Sequence, residues 1–236
     1  MKFRHVLYIC LTLAMTPLLT GCESEDERKL AAAQSCLDRA TTVTDANSCT
    51  ALIQGLTSES SYLIRCSANF IAQGFTAARM ASAFQQVKEN TGGADPMVSL
   101  MGFFVFQSVA GSNSATDAVT NCTNSGIRSM LRLASAASLA TTFAGFTGVG
   151  NFTSTDSATL TANMQAAIAA AAGNATSEAQ LGQVAVTAAS AYCNEGSSYN
   201  GTEVCTNLTA AIAGAGTNYE LIGEQLIAAL QTNSGN

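Results

Sequence analysis

The chain of 236 residues has no tryptophan, two prolines and a single histidine, and only 11% of its residues are charged. Each shortage excludes something. The one histidine is His5, so no Ser-His-Asp triad, Cys-His pair or His-based metal site can be assembled from the rest of the chain. Basic residues are few and unevenly placed. No Lys or Arg follows Arg132, while Asp156, Glu178, Glu195, Glu203, Glu220 and Glu224 do. Nucleic-acid binding needs basic side chains to displace counterions, so no nucleic-acid partner is expected. A basic face for anionic lipid is missing for the same reason. Strand signals are nearly absent: Asn200-Gly201 is the one hairpin-like turn, and helical patterns flank it. The first apolar run, Val6 to Leu19, is interrupted by Pro17. It falls short of the about twenty residues that a membrane span needs.

That run is informative in another way. Lys2 and Arg4 precede it, and small residues close it. A basic head, a short apolar body and a small-residue exit are the parts of a secretory signal. Its end, Leu19-Thr20-Gly21-Cys22, resembles the lipobox of bacterial lipoproteins. The resemblance covers the leader alone. It implies that residues 1–21 are removed, that the Cys22 thiol carries diacylglycerol, and that the freed amine takes a fatty acyl chain such as palmitate. Each buried methylene contributes about 0.8 kcal/mol, and two or more chains anchor stably where one does not. A membrane is therefore the expected partner, reached through the lipid on Cys22. Glu23 stands where an aspartate would favour inner-membrane retention, so the outer membrane is expected over the inner. Residues 22–29, charged from Glu23 to Lys29 apart from Ser24, are expected to form a solvated tether.

All sixteen acidic residues lie beyond the leader, which removes two of the ten basic ones; eight bases against sixteen acids leave a net charge of −8 on the mature chain. Cys10 departs with the leader. Six cysteines remain besides Cys22: Cys36, Cys49, Cys66, Cys122, Cys193 and Cys205. An even number in an exported chain argues for disulfides. Zinc is the competing reading, and it fails because no Cys-x-x-Cys is present and no histidine survives the leader. Helices joined by short turns bring Cys36 near Cys49 and Cys193 near Cys205, which leaves Cys66 with Cys122.

Apolar residues recur at helical spacing. The clearest stripe runs from Glu59 to Asn90 through Leu63, Cys66, Phe70, Ala77, Ala81 and Phe84, with Arg65, Asn69, Gln73 and Arg79 on the wet side. Asp95-Pro96 opens a very apolar helix over Met97–Ala110 containing Phe103, Phe104, Val105 and Phe106. Further helices are expected at Lys29–Thr42, Ala46–Leu56, Asn124–Phe143, Ser157–Ala172, Ser177–Cys193, Thr202–Ala213 and Tyr219–Gln231. A Thr and an acid stand shortly before Cys49, Cys122 and Cys205, each read as a capped helix start. The expected fold is all-α: an Ala-rich helical bundle stapled by disulfides. A Gly/Thr-rich linker at 145–155 would divide a helical part at 30–144 from another at 156–236.

Nothing in this pattern calls for catalysis, and no catalytic residue, cofactor or metal is expected. Gly145, Gly148 and Gly150 stand in the wrong order for a dinucleotide turn, with no strand before them. Glu220 and Glu224, four apart, suit a solvated helix edge better than a glycosidase pair. Asp45 and Asp117 read as first-turn acids. Lys29 and Lys88 lie in no Ser-x-x-Lys. Five Asn-x-Thr sequons, at Asn121, Asn151, Asn174, Asn200 and Asn207, follow from an Asn/Thr-rich composition. The expectation is a non-enzymatic, lipid-anchored cell-envelope protein that binds another envelope protein or supports the envelope. The alternative is a carrier of an apolar ligand or lipid, with the Phe103–Phe106 cluster lining its cavity.

Overall fold

The computed structural model describes residues 24–75, 81, 85, 101–107, 111–153, 156–193 and 203–233. Among them every regular element is helical. In chain order these are α1 (Glu25–Leu37), α2 (Val43–Ala51), α3 (Glu59–Ala72), α4 (Gly111–Asn124), α5 (Arg128–Gly145), a 3-10 turn (Val149–Phe152), α6 (Ser157–Ala171), α7 (Ala175–Tyr192), α8 (Glu203–Ala215) and α9 (Tyr219–Asn233). The fold is an all-α bundle.

Helix α1 begins earlier than the charged stretch suggests. Ser24 caps it: its Oγ accepts from the Glu27 amide at 3.2 Å, and Glu27 Oε2 accepts from the Ser24 amide at 2.7 Å. This reciprocal box satisfies two otherwise orphaned donors. Glu25, Asp26 and Glu27 occupy the first turn, where the helix dipole favours acids. Lys29 pairs with Glu25 at 2.7 Å, one turn apart. The expected tether is thus corrected: Glu25–Lys29 are helix, because the same charges that suit a solvated spacer also suit a capped helix start.

Helix α3 stops at Ala72 instead of continuing to Asn90. Gly74 adopts φ 75°, and the Gly74 amide donates to Ile71 O while the Phe75 amide donates to Phe70 O. These two bonds close a helix with a left-handed glycine, and an apolar contact between the residues they join commonly completes the motif. Here the Phe70 and Phe75 rings meet edge to face at 5.6 Å. The apolar helix expected over Met97–Ala110 is helical at 101–104, while 105–107 is not. There the Phe106 amide donates to Thr141 Oγ1 of α5 at 2.9 Å in the buried interior, a side-chain partner in place of a helical carbonyl.

Helix α4 ends at Asn124, and the helix expected from Asn124 begins at Arg128 as α5. Ser, Thr and Asn make α4 a weak helix former. Ala115, Ala118 and Cys122 are nonetheless buried on one face, and packing supplies what propensity does not. Helix α7 starts at Ala175, capped by Asn174 Oδ1, which accepts from the Ser177 amide, rather than at Ser177.

Three buried clusters knit the helices together. The largest draws on α3, residues 101–106, α4, α5, Phe152, α6, α7 and α9. A second joins α1, α2 and α3 around Leu37, Ile53 and Ile64. A third joins α7, α8 and α9 around Leu208 and Ile222. The described residues of the expected linker, 145–153, lie within this arrangement. Phe152 is fully buried in the main cluster, Gln107 Nε2 donates to Phe152 O, and Asn163 Nδ2 donates to Asn151 O at 2.6 Å. One buried cluster therefore draws on helices before and after Phe152.

Small side chains set the helix spacing. Helix α5 buries Ala134, Ala137, Ala140 and Ala144 together with Ser135, Ser138 and Thr141. Helices α7 and α9 approach until their backbones touch. A methyl group built at Gly182 would stand 1.8 Å from Tyr219 O, and one at Gly223 would stand 1.9 Å from Glu178 O.

Candidate functional site

Cys22 and the rest of the leader lie outside the described residues, as do Lys88 and Asn200-Gly201. The six other cysteines are described, and the structure joins Cys36 to Cys49, Cys66 to Cys122 and Cys193 to Cys205, with Cα separations of 5.4, 5.0 and 5.3 Å. The first staples α1 to α2. The second joins α3 to α4 across 56 residues of sequence and is fully buried at both ends. The third reaches from the end of α7 to α8. Disulfides consume the thiols that could otherwise serve as nucleophiles or metal ligands.

Several of the acidic residues serve as caps or hydrogen-bond acceptors of the backbone. Asp45 receives the amides of Thr41 and Thr42 and completes the cap of α2. Hydrogen bonding with the Thr42 side chain foremost, and then with the Thr41 amide, holds its carboxyl below the usual range. Asp156 caps α6, accepting from the Thr159 amide at 2.8 Å and the Thr159 hydroxyl at 2.6 Å. Its pKa is lowered by the same two bonds. Glu178 is buried, and its Oε1 accepts from the Gly173 amide at 2.7 Å. Glu220 and Glu224 are both exposed on α9. Asp117 lies in the middle of α4, which corrects its reading as a first-turn acid. Among the described residues no group of three His, Cys, Asp or Glu side chains converges as a metal site would require.

An open, polar cleft of about 470 Å³ lies where α2, α3 and α4 meet. Asn47, Gln54, Arg65, Asn69, Asp117 and Asn121 line it. Arg65, which the sequence pattern puts on the wet side of α3, is held down as a staple. Its Nη2 donates to Ile53 O and Leu56 O, both at 2.8 Å, and its guanidinium lies 5.3 Å from the Tyr62 ring centre. It thereby satisfies carbonyls in the turn after α2, a use of Arg that sequence periodicity does not reveal. The buried Asn69 Nδ2 has no hydrogen-bond partner. The cleft thus offers amide donors and acceptors, one exposed carboxylate and an unused donor. Among the residues that line it, no nucleophile and base are brought together.

The phenylalanines expected to line a ligand cavity are packed instead. Phe103 to Phe106 are buried, and Phe106 meets Phe70 and Phe75 at ring separations of 5.5 Å each. The apolar hollow beside them, lined by Phe70, Ile71, Phe75, Met130 and Leu133, measures about 200 Å³. No helix of the described residues is long and apolar enough to cross a membrane.

Compared with protein-family models, curated proteins and solved structures, the chain matches none.

Proposed function

We propose that the chain is a non-enzymatic, lipid-anchored protein of the bacterial cell envelope, a helical module that binds or supports another envelope component. The observation that carries this reading is Leu19-Thr20-Gly21-Cys22 at the end of a basic and then apolar leader. The three bridges support it, because disulfides persist in oxidising compartments outside the cytosol. The absence of a leader-independent histidine supports the non-enzymatic part. The amide-rich cleft between α2, α3 and α4 offers a partner hydrogen-bond donors and acceptors. The apolar-carrier reading has less support, since the hollow beside the phenylalanines is smaller than the roughly 300 Å³ at which small-molecule pockets begin.

Fractionation of a bacterial host expressing the full chain tests the anchor. The wild-type protein should sediment with membranes, outer more than inner, and Cys22→Ser should appear in the soluble fraction. Equal partitioning of the two would remove the reading.

A further inference from the structure

The capped start of α1 limits how far the folded part can stand from a membrane. Ser24 is already engaged in the reciprocal box with Glu27, and helix begins at Glu25. Two peptide units separate residue 24 from residue 22, and each spans at most about 3.6 Å, so the helix cap lies within about 7 Å of the anchoring residue. That is shorter than the Debye length of about 8 Å at physiological salt.

We infer that the α1–α3 unit rests directly on the membrane surface, with the first turn of α1 at the headgroups and no spacer between. The inference rests on lipidation of Cys22. It goes beyond it by assigning the face that meets the bilayer. Helix α1 cannot swing freely as an extended arm. Ala33 and Leu37 are buried against α2 and α3, and Cys36 is bridged to Cys49. Helix α3 in turn is bridged to α4 through Cys66 and Cys122. The rigid body therefore begins two residues after the lipid.

Charge does not create this contact. Residues 23–29 hold the acids Glu23, Glu25, Asp26 and Glu27 against Arg28 and Lys29. The three acids of the first turn are exposed. An anionic collar repels anionic headgroups, so covalent geometry holds it at the surface, and the short chain leaves repulsion little room to act.

Neutron reflectometry on the full lipidated protein in a supported phosphatidylcholine bilayer tests the inference, with mass spectrometry of the same sample for the lipid on Cys22. Protein density should begin within about 10 Å of the headgroups. A variant with ten Gly/Ser residues inserted between Glu23 and Ser24 should open a water-filled gap, because such a linker has a mean span of about 17 Å. A lipidated wild-type protein separated from the headgroups by a gap as wide as the variant's would overturn the inference and leave the anchor reading intact. An unlipidated Cys22 would overturn both.

Discussion

Arg132 and Tyr192 fasten α5 to the end of α7 by two hydrogen bonds that run in opposite directions. Arg132 Nε donates to Ala191 O at 3.0 Å, and the Tyr192 hydroxyl donates to Arg132 O at 2.8 Å. The last basic residue of the sequence is thus a cross-link between helices on either side of residues 145–155. Tyr192→Phe removes one bond while keeping the ring, and should cost about 1 kcal/mol. In a chain of this size that lowers Tm by about 2–4 °C. Calorimetry of the disulfide-bonded protein reads it; an unchanged Tm would mean that the Tyr192 hydroxyl bond adds nothing to the cross-link.

Three glycines in helices should respond in opposite directions to the same substitution. Gly182→Ala and Gly223→Ala drive a methyl into the facing backbone. Backbone cannot turn aside as a side chain can, so each should cost about 3 kcal/mol or more. Gly214 of α8 has nothing within 4 Å of its added methyl, and Gly214→Ala should stabilise by up to about 1 kcal/mol through helix propensity. Urea denaturation of the three variants separates these effects.

The three bridges should yield to reductant in a set order. Cys66 and Cys122 are fully buried, whereas Cys36 and Cys193 are each half-buried. Graded dithiothreitol followed by alkylation and peptide mass mapping should label Cys36–Cys49 and Cys193–Cys205 before Cys66–Cys122. The central bridge also closes the longest loop, 56 residues against 13 and 12. On the chain-entropy model its removal by paired Ser substitution costs about 4 kcal/mol and either of the others about 3.

Acid should loosen the helix starts. Glu25, Glu27, Asp45 and Asp156 all have pKa values lowered in the folded protein: Glu25 by its Lys29 partner, Glu27 and Asp45 by their caps, Asp156 by Thr159. A carboxyl whose pKa is depressed on folding stabilises above its unfolded value and loses that stabilisation as pH falls through the folded one. Stability should be flat above about pH 5 and decline below the ordinary values of 4.5 and 3.8. Asp156→Asn keeps an N-cap without a titrating proton, so the variant should show a shallower acid limb. An identical limb would show that the cap does not contribute to it.

Much of the fold was legible because helix signals are local. The stripe through Leu63, Cys66 and Phe70 and the cysteine spacing both come from short-range geometry. Two kinds of feature were not. Helix α4 is built from Ser, Thr and Asn, which by themselves favour turns, and only the partners of Ala115, Ala118 and Cys122 make it helical. The expected linker at 145–155 looked flexible because its glycines and threonines dominate. Phe152 decides the matter, and its burial depends on packing against α5 and α6 rather than on the local residue types. The cleft was the least visible feature. Asn47, Asn69, Asp117 and Asn121 sit on three helices, and local periodicity, which puts Asn69 on the wet side of α3, does not bring them together.

The central claim is the anchor, and the intact mass of the protein extracted from host membranes tests it most directly. The account predicts a chain beginning at Cys22, heavier by diacylglycerol and an acyl group and lighter by the six hydrogens of three disulfides. A mass matching the unmodified chain, or a chain cleaved at another residue with Cys22 unlipidated, would contradict it.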